Sequence, residues 1–169
     1  IAYATMHTTG QGYMMAFQAS GPHTADRALE AIAAGYEELQ RFPATALWDK
    51  PMGKFNIQLN KEWRAVPKGI SVVIGCSTFP TWNSVTGIYA SLITGNPVIV
   101  KPHPIAVLPM AIVVQTCRET LSEYGFDPNL VTLAVDTLAD PVAGEFVDDP
   151  AVQIIDFTGS PRYGGRLER

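Results

Sequence analysis

The chain has 169 residues, of which 47% are hydrophobic and 17% charged, and its formal net charge is −4. This length suits one globular unit with a substantial core, and the weakly acidic balance argues against binding to nucleic acid or to an anionic membrane surface. We find no signal peptide and no apolar stretch of the ~20 residues needed to span a bilayer, so no membrane partner is expected. Two cysteines and three scattered histidines indicate a cytoplasmic protein with no disulfide scaffold and no metal site.

Residues 1–43 are predicted to form helices. Apolar residues recur at the spacing of one helical face, namely Leu29, Ile32, Tyr36 and Leu39. Thr24 is the predicted N-cap of this helix, and Pro43 follows its end.

Residues 44–68 are predicted to form a β-hairpin. Phe55, Ile57 and Leu59 alternate with polar neighbours, as in a half-exposed strand, and the segment EWRAV at 62–66 is the predicted partner.

Residues 69–169 are predicted to form a doubly wound α/β layer. Continuous apolar runs rich in β-branched residues, typical of parallel strands covered on both faces, occur at 70–75, 97–101, 130–135 and 152–157. Helix-sized segments lie between them, at 80–94, 105–124 and about 138–147.

Ligands of open parallel sheets bind beyond the carboxyl ends of the strands, so the residues that follow each run are candidates. After the last run, Gly159 permits a tight turn and Ser160 suits a helix N-cap, where free amides attract a phosphate. Gly164 would remove side-chain bulk one turn later. The bland alternative is that this turn serves geometry only. Lys101 ends the second run, either as a donor to ribose or phosphate or as a lysine whose ammonium simply reaches solvent.

Three junctions in this order carry a family resemblance. The segments STFPTWNSVTGIYASLITGNPVIVKPHP and FTGSPRYG resemble the coenzyme-binding half of the aldehyde dehydrogenase superfamily. Two further segments, YATMHTTGQGYMMAFQASGPH and GCSTFPTWNS, resemble the phenylacetic acid degradation proteins of the PaaN type. The resemblance implies a partial Rossmann-like domain, an oligomerisation hairpin at 44–68, and a homo-oligomer. It also implies NAD(P)-dependent oxidation of a small-molecule aldehyde, free or CoA-linked, such as a ring-opened semialdehyde.

Carried over residue by residue, the resemblance places Lys101 at the adenosine ribose. Gly159 and Ser160 match the turn at the pyrophosphate, and Phe157 matches the aromatic beside it.

The residue that stabilises the oxyanion has two candidates. The family commonly has an asparagine two residues before the proline of Phe-Pro, and here that position is Thr78, whose hydroxyl donates one hydrogen bond. Asn83 is the alternative, although aligning it requires a shortened helix.

The coenzyme itself is expected to be NADP or NAD. Three residues after the lysine, the family often has a glutamate that disfavours a 2′-phosphate, whereas this chain has Pro104. NADP is therefore expected to be tolerated or preferred, with Lys101 and His103 facing the phosphate. The alternative for His103 is an exposed histidine in a turn.

The family's nucleophilic cysteine and general base come after the FTGS turn, in sequence that this chain lacks. Cys117 shares a predicted helical face with apolar residues and is expected to be a core thiol, while Cys76 has no base near it in sequence. We therefore expect an inactive fragment of a longer enzyme. The alternative is a non-catalytic nucleotide-binding or interaction module.

Overall fold

The computed structural model describes residues 1–168, so Arg169, the last residue of the predicted nucleotide domain, lies outside it. The first 40 residues form three helices, α1 (Ala2–Thr9), α2 (Tyr13–Ser20) and α3 (Pro22–Gln40). Helices α1 and α2 are joined by a buried hydrogen bond between the Thr5 and Ser20 hydroxyls, 3.0 Å apart.

Two details of the α3 prediction are wrong. The helix starts at Pro22, and Thr24 donates its hydroxyl to the Ala19 carbonyl at 2.6 Å instead of capping. The predicted apolar face is largely exposed, with Leu29 65% and Tyr36 57% accessible. Helix α3 packs through small residues instead, since Ala31 is buried and a β-carbon at Gly35 would overlap the Ile93 side chain.

A two-stranded antiparallel hairpin follows, made of β1 (Thr45–Met52) and β2 (Phe55–Glu62). The predicted partner segment at 62–66 is therefore wrong, since the partner precedes β2. Pro51 lies within β1, which is possible because a two-stranded ribbon has outer edges where no ladder amide is required. Gly53, with φ of +66°, makes the connecting turn.

The second half of the chain alternates strands and helices. The strands are β3 (Ile70–Ile74), β4 (Val98–Lys101), β5 (Val131–Leu133) and β6 (Val152–Phe157). They form a parallel sheet in the order β5-β4-β3-β6. The helices are α4 (Pro80–Ile93), α5 (Val107–Glu123), α6 (Ala143–Asp148) and α7 (Pro161–Leu167), with short 3-10 turns at Pro104–Ala106 and Pro128–Leu130. Helix α6 is shorter than the predicted segment, because residues 138–142 form a loop.

Both faces of the sheet are covered, as a doubly wound layer requires. On one face Val73, Val98 and Val100 pack with residues of α4 and α5. On the other, Val72 and Ile74 pack with α6 and α7. The predicted fold class, a partial α/β Rossmann-like sheet preceded by helices, is confirmed.

One expectation about membranes needs correction. Within the described residues, the helical stretch Pro104–Glu123 is long and apolar enough, by length and composition alone, to cross a bilayer. Its inner face, with Met110, Val113, Val114 and Cys117, packs into the core cluster on the sheet. The core helix of a soluble protein meets the same criterion.

Candidate functional site

A cleft of about 480 Å³ opens at the carboxyl ends of the parallel strands. Its walls come from the residues that follow β3, β4, β5 and β6, because parallel strands all end at one rim. The polar or turn residues in its lining are Gly75, Cys76, Ser77, Lys101, His103, Asp136, Thr137, Thr158, Gly159 and Ser160. The predicted coenzyme residues Lys101, His103, Phe157, Gly159 and Ser160 thus share one cleft, while their binding roles remain predictions.

Lys101 makes an ion pair that the sequence interpretation missed. Its Nζ lies 2.8 Å from Oδ2 of Asp136, and the two side chains are 9% and 1% exposed. Oδ2 also accepts the Val142 amide at 3.2 Å, which fixes the carboxylate to the loop after β5. Oδ1 of Asp136 is buried without a hydrogen-bond partner among the described residues.

His103 lies on the rim of this cleft and orders the backbone that leaves β4. Its Nδ1 accepts the amide of Ile105 at 3.3 Å, which caps the short 3-10 turn at Pro104–Ala106. This hydrogen bond fixes the orientation of the ring at the rim.

The turn after β6 closes the opposite wall. Ser160 is the N-cap of α7, as predicted, and its Oγ accepts the Tyr163 amide at 3.4 Å. Gly159 is required by packing, since a β-carbon there would overlap the Phe157 ring. That ring is itself held by Tyr163, with centroids 5.2 Å apart.

Gly164 lies outside the cleft lining. A β-carbon at this position would lie 3.6 Å from the Phe157 ring, which is an ordinary contact distance. Space alone therefore does not demand a glycine here, and its coenzyme role stays a prediction.

Of the two oxyanion candidates, Thr78 lies in the loop between β3 and α4, and Asn83 lies in the first turn of α4. Asn83 donates its amide to the Thr78 carbonyl at 3.0 Å and to Cys76 Sγ at 3.3 Å, so its donors are engaged by the preceding loop. Thr78 is exposed. Phe79, the residue before α4, has φ of +52°, the left-handed region that a non-glycine residue adopts at a cost. The choice between Thr78 and Asn83 remains open.

Two other titratable groups lie outside the cleft, and burial accounts for both. Burial raises the pKa of the Cys117 thiol, while a hydrogen bond with Tyr89 opposes that shift. The predicted core position of Cys117 is confirmed. Burial also raises the pKa of Asp156 on β6, a residue that the sequence interpretation did not single out.

Asp136 could have been found from the sequence. It directly follows the apolar run at 130–135, and the rule that identified Lys101 and Ser160 applies equally to that junction. Asp156 offered no such signal, because it lies inside a strand.

Comparison with known proteins gives one consistent result. The model of the aldehyde dehydrogenase family matches residues 4–169. A curated relative, alpha-ketoglutaric semialdehyde dehydrogenase 2 of Azospirillum brasilense, is 34% identical over 117 residues, covering 68% of this chain and 21% of that protein. Another, benzaldehyde dehydrogenase YfmT of Bacillus subtilis, is 30% identical over 102 residues, covering 60% of this chain and 20% of that protein. The chain thus spans about a fifth of the length of these relatives.

Solved structures agree on the fold. The crystal structure of an NAD-dependent aldehyde dehydrogenase from Burkholderia multivorans superposes with a TM-score of 0.95 at 52% identity, over 99% of this chain and 30% of that one. Glyceraldehyde-3-phosphate dehydrogenase GapN from Methanocaldococcus jannaschii, complexed with NADP, gives a TM-score of 0.72 at 20% identity, over 99% of this chain and 34% of that one. At that identity the second likeness concerns the fold alone.

Proposed function

The chain belongs to the aldehyde dehydrogenase family, and we propose from this that the intact protein oxidises an aldehyde to the acid with NAD or NADP. The observation that carries the proposal is the common cleft, where residues from four strand ends meet. The adenosine ribose and the pyrophosphate of an adenine dinucleotide need hydrogen-bond donors of the kind that these residues provide. The NAD-dependent enzyme from Burkholderia multivorans, at 52% identity, supports the coenzyme class.

Each wall of the cleft has a distinct task in this proposal. Lys101 donates to the adenosine ribose from the end of β4, and Asp136 holds its ammonium in place. The turn at 158–160 receives the pyrophosphate in this proposal, because Gly159 lacks a side chain and Ser160 caps the start of α7. Phe157, packed under Gly159, supports the turn from below.

For the chemical step, this chain contributes a hydrogen-bond donor to the oxyanion and the cleft that binds the coenzyme. The bound nicotinamide supplies the acceptor for a hydride. Thr78, or Asn83 after a change of its present hydrogen bonds, donates to the oxygen of the aldehyde as negative charge develops. The cysteine nucleophile and the general base belong to the remaining part of the protein in this proposal.

The proposed substrate is a semialdehyde formed when an activated aromatic ring is opened in phenylacetate catabolism, free or linked to coenzyme A. Its support is the PaaN-type motif in residues 75–84 and the N-terminal segment. The names of two relatives, a semialdehyde dehydrogenase and a benzaldehyde dehydrogenase, are compatible with this class. We place the enzyme in the cytoplasm.

The hairpin β1–β2 is proposed to join subunits of a homo-oligomer. Several of its large apolar side chains are exposed, including Leu47 at 61%, Phe55 at 64% and Leu59 at 50%. An isolated two-stranded ribbon is marginally stable, and burying these side chains against another subunit would stabilise it.

The test is NAD(P)H formation by the intact gene product with a panel of semialdehydes and aromatic aldehydes. Aldehyde-dependent reduction of either coenzyme is expected, and replacing Lys101 with methionine should raise the KM for the coenzyme more than it lowers kcat. A protein that binds the coenzyme but turns over no aldehyde would support the rival, a non-catalytic nucleotide-binding or interaction module.

A further inference from the structure

We propose that Asp136 is a specificity-determining residue that makes this cleft select NAD over NADP. The inference rests on the proposed function, and it goes further by naming the residue and the direction of the preference. It also differs from the expectation in the sequence analysis. That expectation favoured NADP because Pro104 provides no carboxylate near the ribose.

Lys101, the cationic side chain in the cleft lining, is already paired with Asp136. Recognition of a 2′-phosphate requires a positive charge that can turn to it. Lys101 is held 2.8 Å from Asp136, with both side chains nearly inaccessible to solvent. The Val142 amide at 3.2 Å holds Asp136 in place, so an ammonium that turns to a phosphate breaks the ion pair and leaves a buried carboxylate without its counter-ion.

No other cation is available among the described residues that line the cleft. Lys101 and Asp136 are the charged members of that lining, and together they cancel. His103 Nδ1 is engaged as the acceptor of the Ile105 amide. A 2′-phosphate would therefore enter a cleft wall of zero net charge.

The free oxygen of the Asp136 carboxylate favours a ligand that can donate a hydrogen bond. Oδ1 of Asp136 is buried without a hydrogen-bond donor, and a carboxylate oxygen can only accept. A ribose hydroxyl, which is neutral and can donate, satisfies such an oxygen after a small adjustment of the wall. A phosphate brings like charge to the same atom, which Coulomb repulsion disfavours in a partly enclosed site. In this chain, the carboxylate beside the ribose is thus supplied by Asp136 in the loop after β5, and not by the residue at position 104.

The experiment measures NAD and NADP binding to the intact protein by calorimetry, for the wild type, Asp136→Asn and Asp140→Asn. Asparagine keeps the shape and the acceptor but removes the charge, which frees the Lys101 ammonium. We expect the wild type to bind NAD at least tenfold more tightly than NADP, and Asp136→Asn to reduce that ratio at least tenfold through tighter NADP binding. Asp140 is an exposed carboxylate of the same loop, and its variant should keep the wild-type ratio.

A second measurement needs no variant and guards against misfolding of Asp136→Asn. Wild-type protein should bind 5′-AMP more tightly than 2′,5′-ADP, because these probes differ only in the 2′-phosphate. Tighter binding of NADP or 2′,5′-ADP to the wild type overturns the inference alone. So does an equal loss of both coenzymes in Asp136→Asn, which would reduce the residue to a structural role. Failure of both coenzymes to bind the wild type overturns this inference and the proposed function together.

Discussion

Replacing Gly87 with alanine is expected to destabilise the protein, even though alanine is the better helix former. Gly87 is buried on α4, where the helix crosses β6. A β-carbon at Gly87 would lie 2.6 Å from Cγ and 2.9 Å from Cβ of Asp156. The Cβ of Asp156 is fixed to the strand, so rotating its side chain cannot relieve the whole overlap.

The magnitude follows from two opposing terms. Carbon atoms pack at about 3.5–4.0 Å, so the new methyl group is roughly 1 Å too close, and overpacking of this kind costs about 1–3 kcal/mol. The helix preference of alanine over glycine returns about 1 kcal/mol. The two terms leave a net loss of up to about 2 kcal/mol, and the upper part of that range is expected because the backbone must move.

The assay is urea unfolding of wild type, Gly87→Ala and Gly144→Ala. Gly144 is the matched control, since it lies in helix α6 with nothing within 4 Å of its added β-carbon, and alanine there should stabilise by about 0.5–1 kcal/mol. In an Asp156→Gly background the penalty at Gly87 should vanish. If Gly87→Ala stabilises as much as Gly144→Ala, the close packing of α4 on β6 is refuted.

Three further predictions concern the cleft and the buried groups. Gly159→Ala should weaken NAD binding at least tenfold by displacing the aromatic ring beneath the turn, whereas Gly165→Ala, with open space around it, should bind normally in the same titration. Burial raises the pKa of Asp156 above its unfolded value, so the stability of the wild type falls as the pH rises from the unfolded pKa through the folded pKa. Thermal unfolding should therefore show Asp156→Asn to be more stable than the wild type at pH 7. That advantage should disappear in acid. Peptide mapping after thiol labelling should show that Cys76, in the cleft lining, reacts more slowly when NAD is bound. Cys117 should react only on unfolding, because burial keeps its thiol protonated. Labelling of Cys117 in the native protein would contradict this.

The sheet could be predicted from the sequence because its strands are covered on both faces. Continuous apolar runs such as 70–75 and 152–157 are typical of buried parallel strands, and their observed bounds differ by at most a few residues. The hairpin was harder, since a two-stranded ribbon has no buried face to impose a pattern, and β1 carries polar residues and Pro51. Helix α3 misled for a related reason: its apolar face is exposed here, and small residues make the contact.

The cleft was predicted in outline by one topological rule, the meeting of parallel strand ends at a single rim. That rule found Lys101 and Ser160, and Asp136 occupies the equivalent position after the run at 130–135. It could not show that Lys101 is paired, because an ion pair between residues 35 positions apart depends on the register of β4 and β5. In the proposal above, the pairing of Lys101 with Asp136 changes the expected preference from NADP to NAD. Asp136 is therefore the missed residue with the largest effect on the proposed function.

The cleft at the strand ends is proposed to hold the adenosine half of the coenzyme, and every other role depends on this. A crystal structure of the intact protein with NAD tests it most directly. We predict the adenosine ribose within hydrogen-bond distance of Lys101 or Asp136, and the pyrophosphate against the turn at 158–160. Coenzyme bound elsewhere, with this cleft free of nucleotide in an active protein, would contradict it.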